Sequence, residues 1–372
     1  MERTQQYIDQ ARKFFRSYTE GMTSRDVRRL FDREAIEAYE VLARDQDAEE
    51  PEDGFKRFLH RVRVIFLGLS YKLTPARRAL FAASLILLFL GLFSPNVLEI
   101  SSGALRIDFS PVYFIASFGC LTYLLLVELV DRVKVRDELE VARNLQRDLL
   151  PRNSPDIDKY SFAHSYRTAN DIGGDYYDFV ELPDGRLALL VGDASGHGIA
   201  AGLLMAIANT TLKTALDVDP DPVKVVRLLN HTLCRTGDRR AFMSLFYALL
   251  TPETGEFEFV SAGHPFPLIR RAGGEVIELG RGSLPLGVRQ TIEIEADQSR
   301  LGPGDLMLLY SDGIPEALDT EGQAFGFGKL REILELPGSP KVIHDRVLMA
   351  FDEHVGDEPI KDDVSMVVVA RA

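Results

Sequence analysis

Two long apolar runs set the first limit on how this chain can fold. Ala79–Phe93 (ALFAASLILLFLGLF) holds no charge, and Val112–Val130 (VYFIASFGCLTYLLLVELV) holds one acid, Glu128, near its end. A membrane span needs about 20 apolar residues. The second run meets that length; the first reaches it only by borrowing Ser94–Val97. The alternative is a pair of helices buried in a soluble core. The flanks decide against it. Residues 56–78 contain Lys56, Arg57, Arg61, Arg63, Lys72, Arg77 and Arg78 and no acid, and Arg132, Lys134 and Arg136 follow the second run. The connecting segment, 94–111, has Arg106 as its single base beside Glu99 and Asp108. Positive charge collects on the cytoplasmic side. The prediction is a two-helix transmembrane hairpin over 79–130, multi-pass in the inner (cytoplasmic) membrane, with both chain ends in the cytoplasm.

At 372 residues the chain is too long for one typical domain and suits two or three. Residues 1–60 are polar and periodic: Phe31, Ala35, Ala38 and Leu42 fall on one helical face. They predict a small helical cytoplasmic region without a legible role. The opening MERTQQYIDQARKFF lacks the apolar core of a cleavable signal peptide. After the second span, 131–151 reads as a linker helix stopped by Pro151 and Pro155. Its Val135, Leu139, Ala142, Gln146 and Leu149 alternate spacings of 4 and 3. That pattern fits a coiled-coil seam, hence a homodimer through 135–150. It fits equally a single amphipathic helix lying on the next domain.

From 152 to 372 the texture changes. RLALLVGD (186–193), AFMSLFYALL (241–250), FEFVSAG (257–263), PLIRRAGGEVIEL (267–279), IEIEAD (292–297), DLMLLYSDG (305–313) and VSMVVVA (364–370) read as strands. Helical patterns cover 198–216, 222–236 and 342–355. This order predicts an α+β sandwich. The net charge of −13 argues against nucleic acid as the main partner. Two cysteines, Cys120 and Cys234, imply no disulfide framework.

Acids recur at the ends of these strands. Asp175 follows Gly173-Gly174, Asp193 ends LALLVGD, Asp312 ends LMLLYSD, and Asp362-Asp363 precede VSMVVV. Asp175 and Asp193 sit at the ends of a predicted hairpin. Any single Asp beside Gly is an ordinary turn residue; four such points in one domain suggest a shared ligand. Carboxylates, carbonyls and water suit hard cations such as magnesium and manganese. The scattered histidines form no His-x-x-x-His pair, which argues against zinc. GDASGHG is not a hydrolase elbow, because Asp193 and His197 stand where Gly-x-Ser-x-Gly needs glycine.

GGDYYDF (173–179), VGDASGHG (191–198), SAGHP (261–265), LPLGV (284–288), YSDGIPEA (310–317) and KDDVSMVVV (361–369) together resemble the PPM family of metal-dependent serine/threonine phosphatases. The likeness is to its bacterial SpoIIE/RsbU-type branch and covers about 142–372. It implies an αββα sandwich with two divalent ions, manganese or magnesium, between the sheets. By motif, Asp193 would bridge the ions and the Ala194 carbonyl would bind one. Asp175, Asp312 and Asp362 would complete the set, with Asp363 a ligand or a supporting partner. Asp178 is implied as a hydrogen-bonding support and Glu181 is less well matched. His197 would orient water, donate to the leaving oxygen, or serve the loop. Many relatives grip phosphate with an arginine where Asn170 stands here; Arg167 is the nearby substitute. The implied activity is phosphoprotein phosphatase, with a STAS-type anti-sigma-factor antagonist as substrate. The alternatives are a pseudophosphatase that binds without turnover and a small-molecule phosphatase on the same metals.

Overall fold

The computed structural model describes residues 39, 41–43, 54–93, 97–99, 106–236, 241–356 and 358–372. Most of the helical region expected at 1–60 lies outside the described residues. The chain divides into two compact units, Met1–Val133 and Lys134–Ala372.

In the first unit, helix α1 (Gly54–Lys72) precedes helix α2 (Pro75–Phe93), which starts with proline at a position where a missing N–H costs nothing. Strands β1 (Val97–Glu99) and β2 (Arg106–Asp108) pair antiparallel in the connecting segment. Helix α3 then runs unbroken from Ser110 to Leu149. The predicted span 112–130 and linker 131–151 are therefore one helix. It opens on an Asp108 carboxylate that accepts from the Ser110 N–H at 2.9 Å. Helices α2 and α3 meet through Ser117 Oγ, which donates to the Ser84 carbonyl at 2.8 Å. Arg77, at the foot of α2, donates to Glu128 at 2.8 Å and to Asp131 at 2.6 Å on α3.

Among the described residues, three helices are long and apolar enough to cross a membrane: α2, α3 and α4 (Ile199–Val218). Burial separates them. Only 6% of the apolar window of α2 and 11% of that of α3 is buried in the protein, against 44% for α4. The apolar face of α4 is used up inside the second unit, through Ala201, Met205, Ala208 and Leu212.

The second unit holds two five-stranded antiparallel sheets. One has the order β10-β7-β6-β5-β4, the other β3-β12-β11-β8-β9. The first comprises β4 (Asp175–Glu181), β5 (Leu187–Ala194), β6 (Met243–Leu250), β7 (Glu256–Ala262) and β10 (Asp297–Arg300). The second comprises β3 (Tyr160–Arg167), β8 (Leu268–Arg270), β9 (Val276–Glu278), β11 (Leu306–Tyr310) and β12 (Val364–Arg371). Leu189, Phe246, Leu309, Val367 and Val369 share one buried cluster drawn from both sheets. Helices α4 and α5 (Pro222–Thr236) pack on the first sheet. Helices α6 (Gly326–Glu335) and α7 (Pro340–Val355) cover the second, with Leu330, Ile343, Val347 and Phe351 in a separate cluster. The layers are α, β, β, α, as expected. Strand β5 is buried almost throughout, because it is central and covered on both faces, so it reads as a run rather than an alternation.

Three details depart from the sequence reading. The predicted strand 267–279 is a hairpin of β8 and β9, turned at Gly273-Gly274. The strand expected at 292–297 shares only Asp297 with β10, whose DQSR sequence is that of a charged sheet edge. Strand β3 and helix α6 had no counterpart in the sequence reading.

Candidate active site

The β4–β5 register sets Asp175 directly opposite Asp193. Glycine permits the approach. A Cβ at Gly174 would lie 2.6 Å from the Ala194 carbonyl oxygen and 3.1 Å from Asp193 Oδ1. The second sheet delivers its acids by the same logic. Antiparallel β11 and β12 pair Tyr310 with Met366, and the Ser311 N–H donates to the Ser365 carbonyl at 3.0 Å. The residues just beyond, Asp312 and Asp362-Asp363, thus emerge at one end of the sheet. The acids run from deep to open: Asp175 is 1% exposed, Asp193 and Asp312 are half-buried, and Asp362 is exposed. A cavity of about 490 Å³ opens beside Asp362, lined also by Gly313, Glu316, Leu318, Phe351 and Lys361.

Their protonation reports their proximity. Burial, and then the charges of Asp193 and Asp363, hold the Asp175 carboxyl well above the usual range, partly offset by the hydroxyls of Ser311 and Ser365. Burial pushes Asp193 up to about 8, reinforced by Asp312, Asp362 and Asp363. Burial also raises Asp312 to about 6, with Asp362 and Glu316 adding to it. Mutually repelling carboxylates in a desolvated place hold protons unless a cation replaces them. The residues fit a hard divalent ion in donor chemistry, being all oxygen, and in the buried Asp175 Oδ2, which has no hydrogen-bond partner among the described residues. Among the described residues no three such side chains are drawn close enough to hold an ion as they stand. The acids are therefore neighbours through their fields, spread across the seam between the sheets.

Asp363 is occupied differently from the rest. Its Oδ1 accepts from the Ala169 N–H at 2.8 Å and its Oδ2 from the Gly174 N–H. Both oxygens fasten the 168–174 loop to the second sheet. Asp362 Oδ1 accepts from the Asp363 N–H at 2.8 Å. Asp178 lies three residues from Asp175 and so on the opposite face of β4. There it accepts from the Tyr176 hydroxyl and the Phe179 N–H, each at 2.9 Å, with Lys213 of α4 at 3.7 Å. Glu181 is exposed at the far end of the strand. His197 is exposed on the loop after β5, and Ser195 Oγ accepts from the Phe242 N–H at 2.9 Å. Asn170 is exposed, and Arg167 forks onto Asp352 of α7.

Sequence reasoning missed four contributors. The Tyr166 hydroxyl is buried without a partner among the described residues, its pKa raised by burial and then by Asp363, Asp175 and Asp193. Ser311, next to Asp312, and Ser365, two residues after Asp363, bring hydroxyls to Asp175. Gln146, read as a seam position, is buried: its Nε2 donates to the Gly173 carbonyl, and its Oε1 accepts from the Gly173 N–H at 3.1 Å.

A family model described as Stage II sporulation protein E (SpoIIE) matches residues 183–372, a little over half of the chain. The chain belongs to the SpoIIE family. Its domain is a PP2C-type phosphatase domain, the serine/threonine phosphatase class that the motifs imply. Phosphoserine phosphatase RsbU of Bacillus subtilis (strain 168) is 25% identical over 249 residues, covering 64% of this chain and 71% of RsbU. Protein IcfG of Synechocystis sp. is 25% identical over 264 residues, covering 63% of this chain but only 42% of IcfG. Among solved structures, the PP2C domain of SiaA from Pseudomonas aeruginosa matches with a TM-score of 0.58 at 20% identity, covering 65% of this chain and 98% of that one. At that identity the likeness speaks for the fold.

Proposed function

We propose that this chain is a membrane-anchored, metal-dependent phosphatase of phosphoserine or phosphothreonine proteins. The observation that carries the reading is the convergence of Asp175, Asp193, Asp312 and Asp362 from four strand ends on one seam, with burial and mutual repulsion holding Asp175 and Asp193 above the usual carboxylate range. Asp193, with the Ala194 carbonyl, would stand between two ions of manganese or magnesium; Asp175, Asp312 and Asp362 would flank them. Bound there, such ions supply a water acidified toward neutrality and positive charge for the phosphoryl oxygens. The protein's own part is placement. Asp363 and Gln146 hold the glycine loop in register, and Ser311 and Ser365 bed the buried Asp175. The open side at Asp362 admits a phosphorylated side chain.

The names of RsbU and RsbP, both phosphoserine phosphatases, support a phosphoprotein substrate. We assign the substrate to the STAS-type anti-sigma-factor antagonists, in a partner-switching pathway. The basic flanks and bare apolar surfaces of α2 and α3 support the anchor, with the catalytic unit in the cytoplasm. Val135, Val141 and Leu145 are exposed along α3, whereas Gln146 and Leu149 are engaged with their own domain. A homodimer would therefore use the exposed side of the helix. The test is release of phosphate from a phosphoserine protein by Lys134–Ala372, with and without manganese. Turnover that needs manganese and vanishes in Asp193→Asn supports the reading; equal phosphate release by Asp193→Asn overturns it.

A further inference from the structure

Helix α1 has no place in the catalytic reading, yet its surface is strongly patterned. Phe58, Val62, Ile65 and Leu69 recur at i, i+4, i+7 and i+11, and Leu59 and Phe66 lie beside them. All six are exposed. At 100° per residue they cover one continuous face of about 120°. The opposite face is already occupied: Val64 is 3% exposed, and a Cβ on Gly68 would lie 2.7 Å from the Leu42 carbonyl oxygen. The margins of the bare stripe are basic. Lys56 and Arg63, seven apart, run along one side, and Arg61 and Lys72, eleven apart, along the other. No acid occurs from residue 54 to 78.

The helix is also tied to the first candidate span. Arg78 of α2 donates from Nε to the Ser70 carbonyl at 2.9 Å, and reaches the Tyr71 and Leu73 carbonyls at 3.4 Å. These are carbonyls of the last turn of α1 and just beyond it, which lack partners within the helix. Phe66 stacks on Phe81 of α2 with ring centres 5.9 Å apart. A wide apolar stripe between two basic margins, joined to a span at its basic end, matches a helix lying in a lipid interface. A soluble partner would meet the same stripe, but the absence of acid over 25 residues selects an anionic surface.

We infer that α1 lies in the plane of the cytoplasmic leaflet, with Phe58, Val62, Ile65 and Leu69 among acyl chains and its basic margins on anionic phospholipid headgroups. This rests on the membrane reading above. The test uses the full chain, with Cys120→Ala and Cys234→Ser, in nanodiscs of phosphatidylcholine alone or with phosphatidylglycerol at about 3:1. Single Val62→Cys, Ile65→Cys and Phe89→Cys variants carry an environment-sensitive fluorophore, and brominated lipid is the quencher. Expected is loss of most of the signal at 62 and 65 in anionic discs, less in neutral discs, and loss at 89 in both. Lys56→Glu with Arg63→Glu removes the difference between discs. Quenching at 89 without quenching at 62 and 65 overturns the inference and leaves the anchor standing; self-quenching at 62 and 65 in that case identifies a second copy as the occupant. No quenching at any of the three overturns the anchor and the inference with it.

Discussion

Asp193→Asn is expected to make the metal-free catalytic unit more stable, although it abolishes turnover. Burial and the charges of Asp312, Asp362 and Asp363 lift Asp193 from 3.8 to about 8. The folded state thus binds a proton more tightly than the unfolded chain. A raised carboxyl costs nothing below the unfolded pKa, and its cost grows as pH rises through the window to the folded pKa. About four units at 1.36 kcal/mol each set an upper bound of roughly 6 kcal/mol near pH 8. Asp193 is half-buried and shares its field with Asp175, so solvent screening and sharing reduce this to about 2 kcal/mol. For a unit of this size that is a rise in Tm of about 4–8 °C. The assay is thermal unfolding of Lys134–Ala372 in chelator at pH 8 and pH 5. The gain should be large at pH 8 and shrink at pH 5, where wild-type Asp193 is mostly protonated. A variant less stable at pH 8, or a gain equal at both pH values, would refute the electrostatic reasoning.

Gly174→Ala places a methyl 2.6 Å from the Ala194 carbonyl oxygen, which is backbone and cannot swing away. It should cost about 1–3 kcal/mol in thermal unfolding and weaken manganese binding measured by calorimetry. Asp363→Asn leaves one of the Ala169 and Gly174 amides without its acceptor. A loss of about 1–3 kcal/mol is expected, with hydrogen exchange rising in the 168–174 loop; unchanged exchange there would return Asp363 to the status of a plain ligand. Val141→Glu with Leu145→Glu, both at exposed positions, should lower the solution mass of the full chain in detergent from dimer to monomer, measured by light scattering. A reporter fused after Arg136 should be cytoplasmic, and one inserted at 100–105 should lie on the opposite side; both on one side would remove the hairpin.

What was legible in the sequence was whatever a strand can carry by itself. Strands β5, β11 and β12 are interior to their sheets, and acids stand at one end of each buried run, so both the element and its functional residue are written locally. Strand β10 was misplaced because its pairing comes from Phe257–Phe259 of β7 rather than from an apolar pattern of its own. The β8–β9 hairpin was hidden by two short strands joined at glycines, which read as one run. The predicted break between span and linker was an inference from composition. Polarity changes along α3, but nothing in 131–136 interrupts a helix, so the backbone continues.

The roles of the polar residues were less legible, because they depend on partners far away in the chain. Asp363 and Asp362 are adjacent and chemically identical, yet one spends both oxygens on amides at 169 and 174 while the other faces solvent. No local pattern separates them. Arg167 fits the sequence expectation for a phosphate grip until Asp352, 185 residues on, claims its guanidinium. Gln146 shows how much such a distant contact can change. As a seam position it weakens a coiled coil. As observed it binds both backbone groups of Gly173, one residue from the glycine that lets Asp175 face Asp193. Its polarity, which looked like a defect in an apolar stripe, satisfies two buried backbone groups that would otherwise each cost about 1–3 kcal/mol. The last turn of α3 is therefore part of the catalytic unit, and only the exposed side of the helix is left for a partner.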